Sequence, residues 1–261
     1  MKAVLSIAGS DSSGGAGIQA DIKTIEAFGL FAETAVTALT AQNTTGVFGV
    51  VGVEPDFVAA QIDAVFDDIR PDAVKIGMVS SAAIIETIAA CLVRHGAQNV
   101  VVDPVMVATS GSRLIDDGAV EALTQRLLPL ADVITPNMPE AAVLCGFPVE
   151  NEDDMERAAR YLSTRGRGVV LVKGGHREDT ADDVLVAPGG SVVWLRAGRV
   201  ATKNTHGTGC TLSSAIACGL AEGHDVSLSV RRAKDYVTGA LTSGLDLGRG
   251  SGPLDHKWRS R

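Results

Sequence analysis

The hexapeptide THGTGC, residues 205–210, opens straight into the apolar stretch TLSSAIA. Two glycines ahead of a strongly helical run let consecutive backbone amides converge at the positive end of a helix, which makes an anion nest. Gly207, Thr208 and Gly209 are therefore candidate anion-binding residues, and Cys210 stands beside them. The same field lowers the pKa of a thiol. Cys210 is then suited to take a proton from an alcohol, or to lie next to a transferring phosphoryl group. A plainer reading competes, because most free cysteines are small buried apolar groups. Cys91, Cys145 and Cys218 sit in apolar helical patterns and fit that reading; Cys210, in a Gly/Thr turn, fits it poorly.

Other reactive side chains stand where apolar runs end. Lys173 closes VLVK and is followed by Gly174 and Gly175. Its ammonium either aims at a phosphate or snorkels to solvent. Asp103 follows three valines, and an acid leaving a buried strand is costly unless solvated, paired or metal-bound. Asn137 and Glu140 lie three apart in ITPNMPEA. Mg²⁺ is held through one or two carboxylates and water, whereas the plainer reading of Glu140 is stabilisation of a first helical turn. Gln42, in TAQNTTG, carries an amide that donates and accepts at once, which suits a heteroaromatic ring with an amine and a ring nitrogen. It is equally an ordinary polar turn residue. The small residues of GSDSSGGAGIQAD (9–21) let backbone approach a ligand, but the run is neither a Walker A loop nor a G-x-G-x-x-G turn.

The elements that must carry these groups alternate. Strands are predicted at 3–9, 32–44, 73–79, 99–105, 132–137 and 168–175, with a hairpin over 182–200 turning at PGG. Helices are predicted at 17–29, 55–69, 81–96, 118–131, 139–146, 154–166, 208–222 and 227–245. This rhythm predicts an α/β fold whose mainly parallel sheet is covered by helices on both faces. No linker or repeat interrupts it, so residues 1–261 are expected to form one domain. Ligands of such sheets bind beyond the carboxyl ends of the strands, which is where the residues above fall.

Bulk properties remove several classes of function. A net charge of -8 argues against coating nucleic acid, which needs a basic face. Four cysteines without a C-x-x-C pair predict neither a zinc site nor a disulfide framework. The N-terminal apolar run is short and reads as a strand, not a secretion signal. No run approaches the roughly 18 apolar residues of a membrane span. A cytoplasmic protein without membrane or nucleic-acid partners is expected.

Read in order, AGSDSSGGAGIQADIKT, TALTAQNTTGV, KIGMV, VVVDPVMVATSG, ITPNMPEA, LVKGGH, TKNTHGTGCTLSSAIA and GSGPLDH resemble the hydroxymethylpyrimidine/phosphomethylpyrimidine kinases of the ribokinase-like superfamily. The resemblance runs from residue 3 to residue 256. It implies a three-layer α/β/α sandwich, a homodimer, ATP and Mg²⁺. It also implies two successive phosphorylations, of 4-amino-5-hydroxymethyl-2-methylpyrimidine and then of its monophosphate. By the same resemblance Gln42 reads the pyrimidine, Asp21 is the acid near the substrate, and Gly9, Met78 and Val105 line the pyrimidine pocket. Asp103, Asn137 and Glu140 organise Mg²⁺ and its waters, Lys173 lies beside the ATP phosphates, and Gly207, Thr208 and Gly209 form the anion hole. Cys210 takes the catalytic position, and 107–114 matches a flap over the site. A related pyridoxal or pyridoxine kinase, and a non-catalytic pyrimidine sensor, are the two rival readings.

Overall fold

A computed structural model describes residues 1–107, 115, 117–175 and 180–260. Its first strand, β1 (Ala3–Asp11), shows why the sheet is buried on both sides. Leu5 and Ile7 belong to one apolar layer and Val4 to another, as the two-residue period of a strand requires. The first layer packs the sheet against α2 (Pro55–Asp68), α3 (Ala82–His95), α5 (Met138–Cys145) and α6 (Glu152–Ser163). The second packs it against α1 (Gly17–Ala27), α7 (Thr208–Ala221) and α8 (Val226–Thr242).

The nine-stranded sheet has the order β3-β2-β1-β4-β5-β6-β7-β8-β9. Here β2 is Phe31–Asn43, β3 Gly46–Gly52, β4 Ala73–Ile76, β5 Val100–Val102 and β6 Val133–Ile134; β7 is Val169–Val172, β8 Asp183–Val186 and β9 Val192–Leu195. Pairs from β2 through β7 are parallel, whereas β3 and the β8–β9 hairpin pair antiparallel. The expected mainly parallel sheet between two helical layers is the observed one.

Local chemistry fixes the helix ends. The Ser81 hydroxyl accepts from the amide of Ile84 to start α3, and Gly96 ends it in the left-handed region. The segment expected as one helix over 118–131 instead breaks up. It runs as α4 (Asp117–Ala122), then a π-type turn over Leu123–Leu127 and a 3-10 turn over Leu128–Leu130. Pro129, which has no amide hydrogen, stands in the last of these. Strand β3 escaped the sequence reading. Its glycines Gly46, Gly49 and Gly52 weaken the strand pattern, and Phe48, Val50 and Val51 are exposed rather than alternating into a core.

Candidate active site

The parallel strands present their carboxyl ends to one cavity of about 750 Å³. Following the sheet order, Gln42 comes from the end of β2, Gly9 from β1, and Met78 from beyond β4. Asp103 and Val105 come from beyond β5, Asn137 from beyond β6, and Lys173 from beyond β7. The turn at Gly207, Thr208, Gly209 and Cys210 joins them. Of the residues the resemblance assigned to the site, Asp21 alone is not in the wall of this cavity. The flap expected at 107–114 lies outside the described residues except for Val107, which is in the wall.

Helix α7 begins at this cavity. Gly207, its N-cap, has φ +85°, and a Cβ there would lie 1.9 Å from the Gly15 carbonyl oxygen. Both facts require glycine. Among the described residues no side chain caps the helix; the Thr208 amide donates to the Thr205 carbonyl at 3.3 Å, which leaves the amides of Gly209 and Cys210 to a ligand. A Cβ on Gly209 would sit 3.2 Å from Asp103 Oδ2 and 3.3 Å from Lys173 Nζ. The helix start, the carboxylate and the ammonium thus meet at one point. Lys173 Nζ donates to Asp103 Oδ1 at 2.7 Å and lies 4.0 Å from Glu140 Oε2. Burial opposes the charge on Lys173, but Asp103 and Glu140 outweigh it and raise its pKa. The lysine therefore offers a fixed positive charge.

Three expectations change. Asp21 is fully buried on α1 and faces the sheet, not a ligand. It forms an ion pair with Lys75 at 2.8 and 2.9 Å, and accepts from Ser6 Oγ at 2.6 Å and Ser214 Oγ at 2.8 Å. Ser6 and Lys75 alternate with core residues on β1 and β4, so the network is a polar plug between the sheet, α1 and α7. Burial alone would lower the Lys75 pKa; the Asp21 charge reverses this and raises it. Asn137 is spent locally: its Oδ1 accepts from the Glu140 amide at 2.9 Å, while Glu140 Oε2 accepts from the Asn137 amide at 2.8 Å. This capping box is the plainer reading of both residues. The Cys210 thiol moves opposite to the expected direction. Burial pushes it up to about 11; Lys75 pulls it down, and Asp21 and Asp103 push it up again. Desolvation outweighs the field of the helix.

An oxygen-only donor set of Asp103 and Glu140 suits Mg²⁺ held partly through water. Burial drives Glu140 up to about 7, with Lys173 opposing and Asp103 adding. A cation beside it would relieve that cost. Among the described residues no group of three or more His, Cys, Asp or Glu side chains is arranged to hold a metal by itself, so phosphate and water oxygens would complete the shell.

A model of the phosphomethylpyrimidine kinase family matches residues 11–255. The chain belongs to this family. It is 50% identical over 255 residues to the hydroxymethylpyrimidine/phosphomethylpyrimidine kinase of Streptomyces coelicolor, covering 98% of this chain and 94% of the relative. The phosphomethylpyrimidine kinase structure from Clostridium difficile is 44% identical, with a TM-score of 0.82 over 91% of this chain and 98% of that one. The pyridoxal kinase of Staphylococcus aureus in complex with AMP-PCP is 34% identical, with a TM-score of 0.92 over 100% of this chain and 95% of that one. The kinase is accordingly a phosphotransferase with the ribokinase-like fold that the resemblance implied.

Two parts of the kinase cavity went unread in the sequence. Beside Gln42, His206 Nε2 lies 2.8 Å from Asp11 Oδ2 and 3.3 Å from Gln42 Nε2. Burial would raise the Asp11 carboxyl, but hydrogen bonds from His206, Ser13 and Ala16 hold it at about 2. At the opposite side, Val200, Leu212, Val237 and Leu241 make an apolar wall with Thr238 and Lys234. Positions 234, 237, 238 and 241 repeat at helical spacing. That spacing marks a face but does not say whether it meets the core or a cavity.

Proposed function

We propose that this cavity holds ATP and a pyrimidine together, with the Gly207–Cys210 turn between them. The enzyme phosphorylates the hydroxymethyl oxygen of 4-amino-5-hydroxymethyl-2-methylpyrimidine, then phosphorylates the monophosphate to the diphosphate, in thiamine biosynthesis. The carrying observation is the meeting of Gly209, Lys173 and Asp103 at the start of α7, in a cavity shared with Gln42. Gln42, Gly9, Met78 and Val105 hold the pyrimidine, and the Val200–Val237–Leu241 wall takes the nucleobase. Phosphoryl transfer needs alignment and charge stabilisation more than covalent chemistry. The amides of Gly209 and Cys210 and the Lys173 ammonium supply that charge. Asp103 and Glu140 would hold Mg²⁺ through water, and the ion when bound neutralises phosphate charge.

In the first step the alcohol oxygen bonds to the γ-phosphorus, ADP leaves, and the alcohol proton passes late to the Cys210 thiolate. In the second step the nucleophile is a phosphate oxygen with no proton to lose, so Cys210 matters less. The active form is proposed to be a homodimer. Leu39 and its cross-strand partner Val51 leave exposed apolar side chains on one face of the β2–β3 edge, of the kind a second copy covers. All four cysteines are free, as suits the reducing cytoplasm, and among the described residues no helix is long and apolar enough to cross a membrane.

The test is purified protein with ATP–Mg²⁺ and three acceptors, the hydroxymethylpyrimidine, its monophosphate and pyridoxal, with products identified by mass. Conversion of both pyrimidines supports the reading. Turnover of pyridoxal alone would reassign the ring, a rival that 34% identity to a pyridoxal kinase supports less than 50% identity to a hydroxymethylpyrimidine/phosphomethylpyrimidine kinase supports the pyrimidine. No turnover of any acceptor would leave a sensor.

A further inference from the structure

The motif GSGPLDH takes no part in the cavity wall, yet it touches both sides of the anion-hole turn. The Gly252 carbonyl accepts from the His206 amide at 3.1 Å, immediately before Gly207. Residue 253 forms an isolated parallel bridge with His206. On the far side, His256 Nε2 lies 3.0 Å from Thr211 Oγ1, immediately after Cys210, and both residues are buried. At its other end the segment reaches the pyrimidine side. The Gly250 amide donates to Thr44 Oγ1 at 3.2 Å, and a Cβ on Gly250 would lie 2.0 Å from the Thr44 carbonyl oxygen. Thr44 is two residues beyond Gln42. One short stretch of chain therefore spans the two groups whose separation the reaction depends on.

We infer that residues 250–256 are a positioning strap for phosphoryl transfer, with His256 as its anchor on the first turn of α7. This rests on the kinase reading above. The anchor has a defined polarity. Burial and Lys23 hold the His256 imidazole down to about 4, with Asp255 and the Leu254 carbonyl opposing. The ring is neutral in ordinary buffers. A neutral imidazole has one acceptor nitrogen, and a Thr211 hydroxyl 3.0 Å from Nε2 pairs with it. Tyr236 Oη donates to the His256 carbonyl at 2.7 Å and fixes the anchor to α8. Loss of the Thr211–His256 bond frees the helix start to shift. A displacement of about 1 Å in groups aligning a reaction costs on the order of 10²-fold in rate.

The experiment uses the full chain with ATP–Mg²⁺ and either pyrimidine, comparing Thr211→Val, His256→Leu, His256→Gln and the Thr211→Val/His256→Leu double variant. Thr211→Val and His256→Leu are expected to lower kcat at least tenfold, on the order allowed by such misalignment, while both KM values stay within about threefold. The double variant should lose no more than either single, because one bond is removed in each case. His256→Gln, which keeps an acceptor, should restore most of kcat. Thr211→Val removes only a hydroxyl and keeps the test decisive should His256→Leu fail to fold. Thr211→Val with wild-type kcat, or a loss confined to KM, would overturn the strap alone. A wild-type protein with no turnover would overturn the kinase reading with it.

Discussion

The pH dependence of the two phosphorylations separates the role of Cys210 from that of the charges around it. Burial holds its thiol neutral up to about pH 11. Because the acid form is the favoured one, thiolate appears only as pH rises. Its fraction is about 10⁻⁴ at pH 7 and about 10⁻² at pH 9. If thiolate takes the alcohol proton, the first step should accelerate about tenfold per pH unit over this range. The second step, with an ionised phosphate as nucleophile, should stay nearly flat. Bound ATP adds negative charge and displaces the thiol in the same upward direction. The assay is single-turnover quench with excess enzyme, on each acceptor, from pH 7 to 10, for wild type and Cys210→Ser. The substitution should abolish the slope of the first step and lower its rate at pH 9 by about 10²-fold, within the usual range for a general base. It should change the second step less than threefold. A wild-type first step that is already level at pH 7, or equal losses in both steps, would refute the assignment of burial as the controlling force.

Four further outcomes are expected. Asp21→Asn or Lys75→Met should each destabilise the fold by roughly 3–5 kcal/mol, read by urea unfolding, because either leaves an unpaired buried group; replacing both with apolar residues should recover much of it. Gly209→Ala should lower kcat at least tenfold with little change in thermal midpoint, since the added methyl intrudes between Asp103 and Lys173. Gln42→Ala should raise the pyrimidine KM by about 10–100-fold, the size of one lost charge-free recognition contact, and leave the ATP KM unchanged. Glu33 is buried near Asp72 and Asp68, with Oε2 unpartnered among the described residues, and burial raises it to about 7. The folded state then binds a proton that the unfolded chain releases above its ordinary carboxylate range, so stability should fall between about pH 4.5 and pH 7. Glu33→Gln should remove that slope in a pH series of unfolding curves.

Strand and helix alternation was legible because both faces of the sheet are buried, which turns each parallel strand into an unbroken apolar run. Strand β3 was not, because it lies at the edge, carries glycines and exposes its apolar side chains. The cavity's middle was also legible. Asp103, Lys173 and the 207–210 turn each stand at the end of an apolar element, so sequence position already implied a strand or helix terminus. The nucleobase wall was hidden because Val237 and Leu241 belong to an ordinary amphipathic helix, α8. Whether such residues meet a core or a cavity depends on the strands opposite them.

Asp21 and Cys210 show where residue type stops informing. Both lie near the functional turn in space; Asp21 was placed beside the substrate by resemblance, and Cys210 was read from chemistry that holds in water, where a helix start acidifies a thiol. The fold removes the water around Asp21 and reduces it around the half-buried Cys210. Once Ser6, Lys75 and Ser214 surround Asp21, its charge serves the contact between α1 and α7, and the floor beneath Cys210 becomes a neutralised ion pair rather than a free cation. Lys75 still pulls the thiol down, but its partner Asp21 pushes back, so desolvation decides the sign. The positive charge available to a phosphoryl group comes instead from Lys173 and the main chain of α7. Their placement depends on backbone geometry at Gly207 and Gly209, which side-chain chemistry alone does not encode.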